Sequence, residues 1–166
     1  PVILSEDALT VVDARLIQRS SKPVSKKIKY IPELFSPGKI AIIGVSEHEE
    51  KIGYALAKNT FEHPDVYFVN PHLKDLLNKK VFNNIEELPL VDTAVLAIPP
   101  STIKETIDKL ITKKVKNIII ITAGFKEAGR DENFLKELAE TSCINIIGPN
   151  CIGVYVNGMN LTFGTN

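Results

Sequence analysis

From about residue 34 onward the chain alternates two hydrophobic rhythms. Short apolar, β-branched runs stand at Lys39–Ile43, Val66–Asn70, Thr93–Ile98, Asn117–Thr122 and Ile144–Ile147. None shows the in-and-out polar alternation of a half-exposed strand, so each predicts a strand covered on both faces, as in a parallel sheet. The stretches between them carry helical spacing. Ile52–Phe61 predicts one helix and Ser101–Lys114 a second. In the second, Ile103, Ile107, Leu110 and Ile111 share one face, Lys104, Glu105, Asp108 and Lys109 the other, and Ser101 is the expected N-cap. Phe134, Leu135, Leu138 and Ala139 make another apolar stripe after Arg130. Strand–helix alternation at this rhythm predicts βαβ units. The fold class is therefore α/β, a doubly wound, mostly parallel, Rossmann-like sheet with right-handed crossovers.

The first 33 residues break the rhythm. Leu9–Ile17 predicts one strand. Gln18–Lys29 carries Arg19, Lys22, Lys26, Lys27 and Lys29 without an acid and predicts a solvated basic linker.

Composition sharpens this picture by exclusion. The 166 residues suffice for one domain with a sizeable core. Lys+Arg and Asp+Glu balance at 20 each, which argues against nucleic acid as the main partner. No apolar run has the length of a membrane span, so no membrane partner is expected. Cys143 and Cys151 are too far apart for a CxxC redox pair and fit no zinc ribbon, which points to a reducing, cytoplasmic setting. His48, His63 and His72 show no metal-ligand or dyad spacing and are expected on surface loops, with no metal bound. The chain opens on Pro1 rather than Met, as a piece of a longer polypeptide would.

Candidate chemistry gathers at the ends of the expected strands, where open α/β sheets hold ligands. The first strand runs into Gly44-Val45-Ser46, and Lys51-Ile52-Gly53 opens the helix that follows. Gly44 allows a tight turn, Ser46 offers a hydroxyl, Lys51 adds a charge and the helix start offers free N–H groups, so a phosphate suits this turn. The same residues also fit a plain βα turn. Glu47, Glu49 and Glu50 make the loop acidic. No GxGxxG is present, and the second strand ends in Val69-Asn70-Pro71 instead of the acid that would hold a dinucleotide ribose. Lys74 follows, a better partner for phosphate. Ile98-Pro99-Pro100 forms a stiff ledge, either for an adenine or a pantetheine arm or simply as a strand-to-helix turn. Thr122-Ala123-Gly124 is small enough for close ligand approach, and Phe125 reads as core. The last turn, Gly148-Pro149-Asn150-Cys151-Ile152-Gly153, is barred from helix by Pro149. Asn150 suits a turn and Cys151 a small buried apolar group; no neighbouring base marks Cys151 as a nucleophile.

Taken in order, Ile42-Ile43-Gly44-Val45-Ser46, Lys51-Ile52-Gly53, Val69-Asn70-Pro71, Ile98-Pro99-Pro100, Thr122-Ala123-Gly124-Phe125, Gly148–Gly153 and the closing Leu161-Thr162-Phe163 resemble the CoA-binding domain of NDP-forming acyl-CoA synthetases, relatives of the succinyl-CoA synthetase alpha subunit. The resemblance covers about residues 34–166. Pro1–Leu4 with Val11–Arg15 is similar to the closing segment of the ATP-grasp domain of the same enzymes. The implied division is an ATP-grasp segment at 1–18, a linker at 19–33 and the CoA-binding domain at 34–166.

The resemblance implies an ADP-forming acid–thiol ligase that interconverts acid, CoA and ATP with acyl-CoA, ADP and phosphate. The family works through an acyl phosphate and a phosphohistidine in a further domain. None of the three histidines matches that residue, so this chain alone is expected to bind CoA without catalysing. ATP/ADP and Mg2+ would bind outside it. The implied partners are CoA, a small carboxylic acid, the histidine-bearing and ATP-grasp domains, and further copies in a homo-oligomer. The implied CoA contacts are Gly44, Val45, Ser46, Lys51 and Gly53 at the phosphates. Val69, Asn70, Pro71 and Lys74 would flank the nucleotide, and Ile98 and Pro99 would pack on adenine or arm. Thr122, Ala123 and Gly124 would guide the pantetheine, and Asn150, Cys151 and Gly153 would line the reacting end. The alternative is a nicotinamide-binding Rossmann domain of a dehydrogenase or redox sensor, which rests on fold analogy alone.

Overall fold

The computed structural model of the chain describes residues 2–4, 9–11, 38–125, 133–156 and 158–164. The chain divides into two units, Pro1–Tyr30 and Ile31–Asn166. In the first, β1 (Val2–Leu4) pairs antiparallel with β2 (Leu9–Val11). The strand expected over Leu9–Ile17 is present at its start, Leu9–Val11, where it pairs with Val2–Leu4. Residues 12–17 and the basic stretch Gln18–Lys29 lie outside the described residues.

The second unit holds a seven-stranded sheet in the order β5-β6-β4-β3-β7-β8-β9. Its members are β3 (Ile40–Ile43), β4 (Val66–Val69), β5 (Asp75–Leu76), β6 (Lys79–Phe82), β7 (Thr93–Leu96), β8 (Asn117–Ile120) and β9 (Asn145–Ile147). All pairings are parallel except the edge pair β5–β6. The register is in step across the centre, with Ile43 beside both Val69 and Leu96. Every residue of β3, β7 and β8 is buried, which explains their unbroken apolar composition.

Alternate residues of each strand feed two cores. Ala41, Ile43, Leu96, Ile118 and Ile120 face α2 (Ile103–Thr112) and α3 (Asn133–Thr141). Ile40, Ile42, Phe68, Val95 and Ile119 face α1 (Ile52–Thr60) and a final hairpin, β10 (Gly153–Val156) with β11 (Met159–Thr162). The chain steps from β3 to β4 through α1 on one face, then from β7 to β9 in the opposite direction through α2 and α3 on the other. Opposite steps on opposite faces share one hand, as the crossover rule requires. The hairpin β10–β11 covers the ground beside α1 where a further helix could have packed.

The second helix departs from expectation at its start. Pro100–Thr102 forms a single 3-10 turn, and α2 begins at Ile103 with Thr102 as its N-cap. Ser101 is exposed and does not cap it. Pro99 is extended and Pro100 sits at the first position of the turn, where a missing N–H costs nothing, so the two prolines move the helix start past Ser101. The Thr102 hydroxyl instead donates to the Pro99 carbonyl at 2.9 Å.

Among the described residues no helix is long and apolar enough to cross a membrane, and no group of His, Cys, Asp or Glu could hold a metal ion.

Candidate functional site

The chain reverses its direction of travel across the sheet between β3 and β7, and a cleft opens at the carboxyl ends of the strands there. It has a volume of about 920 Å³, within the range of small-molecule sites. The ends of β3, β4 and β7 supply Gly44, Val45, Ser46, Val69, Asn70, Pro71, Ile98 and Pro99, and the start of α1 supplies Lys51 and Gly53. Every one of these was expected from the sequence. Such a switch point is where ligands enter open α/β sheets.

Gly44 has φ +94, and a Cβ there would strike the Ala97 carbonyl oxygen. A side chain is thus excluded both by backbone conformation and by the neighbouring strand end. Gly53 is needed for a different reason. Its φ is ordinary, but a Cβ would strike the Gly44 carbonyl oxygen and lie 3.0 Å from the Val45 Cα. The start of α1 therefore sits directly on the glycine turn. Lys51 is the N-cap, with extended backbone and no side-chain cap, and no acid occupies the first turn. The Tyr54 amide reaches the Lys51 carbonyl at 3.0 Å, the two amides before it have no intrahelical acceptor by geometry, and the helix dipole at this end suits an anion. The Ser46 hydroxyl oxygen accepts from the His48 amide at 3.1 Å, leaving its own proton to donate. Of the loop's acids only Glu50 lines the cleft; the Glu49 carboxylate accepts from the Tyr54 hydroxyl at 3.4 Å.

Asn70 works inside the protein. Its side-chain amide donates to the Val45 carbonyl at 2.7 Å, and its side-chain oxygen accepts from the His72 amide at 2.7 Å. It ties the end of β4 to the glycine turn beyond β3.

Several lining residues carried no strand-end signal. His72, Asn83, Asn84 and Ile85 follow β4 and β6, while Thr102, Thr106 and Lys109 form a stripe on α2. The stripe's spacing of four and three is visible in the sequence, but it reads there as an ordinary solvated helix face. Lys109 stands 3.1 Å from Glu105 and 3.4 Å from Glu86. The hydrogen bond that its ammonium donates to Glu105 and the charge of Glu86 hold Lys109 above the ordinary lysine value. Glu86 is held below the usual carboxylate value, first by a backbone hydrogen bond at its own position and then by the charges of Lys109 and Lys113.

The remaining expected residues lie outside the cleft. Lys74 is exposed in the segment leading to β5. Thr122, Asn150 and Cys151 form a hydrogen-bonded group at the ends of β8 and β9. The Thr122 hydroxyl donates to the Ile98 carbonyl at 2.7 Å, the Asn150 amide to the Thr122 carbonyl at 3.0 Å, and the Cys151 thiol to the Ile120 carbonyl at 3.3 Å. Through Ile98 this group abuts the cleft. Ala123 is exposed, Gly124 has φ +84, and Phe125 is buried in the core. Gly153 opens β10 with φ +108, where a Cβ would strike the Leu161 carbonyl oxygen, so its demand comes from the hairpin.

An open sheet with a glycine turn, an uncapped helix start and an apolar ledge around one switch-point cleft is the arrangement in which open α/β domains accommodate phosphate-bearing ligands. Comparison with known proteins narrows the class: the chain belongs to the CoA binding domain family, which matches residues 38–157. It is 38% identical over 134 residues to the alpha subunit of acetate–CoA ligase (ADP-forming) II of Pyrococcus furiosus, covering 76% of this chain and 29% of that protein. It is 36% identical over 139 residues to acetate–CoA ligase (ADP-forming) of Methanocaldococcus jannaschii, covering 81% of this chain and 19% of that one. Among solved structures, acetyl-coenzyme A synthetase 1 of Ca. Korarchaeum cryptofilum, in complex with phosphate and ADP, superposes with a TM-score of 0.70 at 33% identity, covering 80% of this chain and 30% of that one. The chain thus spans less than a third of the length of each of these relatives. The matches favour the CoA-binding reading over the nicotinamide one.

Proposed function

We propose that the chain binds coenzyme A in the switch-point cleft and is the CoA-binding portion of an ADP-forming acyl-CoA synthetase. The observation that carries this reading is the meeting of Gly44, Ser46, Lys51 and the start of α1 with the apolar ledge of Ile98 and Pro99 in one cleft. Phosphate chemistry and an apolar resting place for adenine or pantetheine are both at hand, and CoA carries both. Gly44, Val45, Ser46, Lys51 and Gly53 take the diphosphate. Val69, Asn70 and Pro71 frame the nucleotide, with Lys74 beside it. Thr122, Ala123 and Gly124 lead the pantetheine past Ile98 toward Asn150, Cys151 and Gly153.

In the whole enzyme, acid, CoA and ATP interconvert with acyl-CoA, ADP and phosphate by way of an acyl phosphate and a histidine-bound phosphoryl group. That histidine, the nucleotide and its Mg2+ belong to domains outside this chain. Residues 1–18 close an ATP-grasp domain, 19–33 link, and 34–166 bind CoA. The partners are those domains, a small carboxylic acid and further copies of the enzyme, in the cytoplasm. The chain's own work is to hold and aim the CoA thiol, with Cys151 taking no covalent part. Isothermal titration with CoA tests the reading: saturable binding is expected, and neither heat nor a thermal shift at about 1 mM CoA, a binding free energy weaker than about −4 kcal/mol, would sink it.

A further inference from the structure

The cleft takes its two lysines from opposite faces of the sheet. Lys51 stands at the start of α1 and Lys109 on α2. Their company differs. Among the described residues Lys51 has no ion-pair partner, whereas Lys109 lies between Glu105 and Glu86. The Lys109, Glu86 and Glu105 side chains are 41%, 59% and 74% exposed, so water and salt screen both pairs and they hold Lys109 weakly.

Lys113, one helical turn on, does a separate job. Its ammonium donates to the backbone carbonyls of Glu86 and Leu88. Ile85 and Leu88 are buried in the core that α2 covers. The 85–88 segment is therefore fastened to α2 by Lys113 and by packing, and Lys109 can change partner without releasing it. A lysine on a cleft wall, held only by screened carboxylates and not needed for the fold, is suited to exchange them for an anionic ligand.

We propose that Lys109 is the exchangeable cation of the cleft: as CoA enters, its ammonium leaves Glu86 for the ligand's 3′-phosphate, and the Lys109–Glu86 pair thereby sets selectivity for a 3′-phosphorylated ribose. This rests on the CoA reading above. CoA carries two separate anionic groups, a diphosphate and a phosphate monoester. The glycine turn and the start of α1 are matched to the diphosphate, and Lys74 lies outside the cleft, so within the cleft the monoester is left to a second lysine. Lys109 enters from the other helix. A monoester with nearly two negative charges competes well against a single screened carboxylate. Glu86, left behind, is the repulsive element that makes the site's preference depend on Lys109.

The test is isothermal titration of the chain, its Lys109→Met variant and its Glu86→Gln variant with CoA and with 3′-dephospho-CoA. Lys109→Met is expected to weaken CoA about tenfold and to leave 3′-dephospho-CoA within about twofold. Glu86→Gln is expected to tighten CoA about threefold, with no gain for 3′-dephospho-CoA. A Lys109→Met variant that binds CoA as the parent does, or that loses affinity for both ligands equally, overturns the proposal while the parent's CoA binding keeps the wider reading intact. A parent chain that binds neither ligand overturns both. Both substitutions are on exposed side chains, and circular dichroism verifies that the variants fold.

Discussion

The side-chain amide of Asn70 donates to the Val45 carbonyl across 2.7 Å, joining the end of one central strand to the turn after its neighbour. Both residues line the cleft, and the same side chain accepts from the His72 amide. A residue that reads in sequence as a ligand contact therefore also positions the glycine turn. Asn70→Asp replaces the donor with a carboxylate that repels both the Val45 carbonyl and an incoming phosphate. CoA affinity should fall at least about tenfold, or about 1.4 kcal/mol. Asn70→Ala should cost about 1 kcal/mol of stability through the lost hydrogen bond. Titration calorimetry and urea unfolding measure the two effects, and an Asn70→Asp variant with full affinity would refute the positioning role.

Gly53 separates two accounts of the turn. If its small size only made room for a phosphate, alanine would be harmless and glutamate severe. The missing Cβ, however, faces the Gly44 carbonyl oxygen. Gly53→Ala should therefore lift α1 off the turn, lose about 1–3 kcal/mol of stability by overpacking, and weaken CoA about tenfold. Parent-like melting and affinity for the alanine variant would show that the backbone approach is not needed.

How much of this could be read from the sequence differs by element. Five of the six parallel strands, β3, β4, β7, β8 and β9, were visible from short apolar runs, and the runs are clearest in β3, β7 and β8, which are buried on both faces. The β5–β6 hairpin was not. Its strands carry Asp75, Lys79 and Lys80, and its turn places Leu77 and Asn78 at positive φ without a glycine to mark it. The same holds for β10–β11, where too few residues alternate. Within the site, glycine and proline at strand ends were legible because they record backbone demands. Thr106 and Lys109 were not, because they reach the cleft only when α2 folds back over the sheet. The hydrogen bond of Asn70 to Val45 was not legible, since its partner belongs to a different strand end.

The cysteine beyond the end of β9 has a structural task that serine can share. The Cys151 thiol donates to the Ile120 carbonyl at 3.3 Å and packs against the core beside Ile147. Cys151→Ser keeps a donor there and should hold CoA affinity within about twofold. Abolished binding by a folded variant would give the sulfur a part in the site. The adjoining Gly148 should be far less tolerant. It has φ +95, and a Cβ would strike the Ile120 carbonyl oxygen. Gly148→Ala should cost about 2 kcal/mol or more in urea unfolding, from left-handed strain plus overpacking.

The end of α2 offers a change in the opposite direction. The Lys114 amide donates to the Ile111 carbonyl at 2.8 Å and the Val115 amide to the Leu110 carbonyl at 3.0 Å, the paired bonds of a Schellman termination. Lys114 stands at φ +61, the position where such endings favour glycine. Its side chain is exposed, so little packing is lost on removing it. Relief of left-handed strain outweighs the added freedom of glycine in the unfolded chain. Lys114→Gly should therefore stabilise by about 0.5–1 kcal/mol and raise Tm by a few degrees. Lys114→Val, β-branched in the same conformation, should destabilise instead. Thermal and urea unfolding followed by far-UV circular dichroism compare the three chains. CoA affinity should be the same in all of them, because this turn lies at the opposite end of α2 from Thr102, and equal stability of the glycine and valine variants would show that the strain is not borne at Lys114.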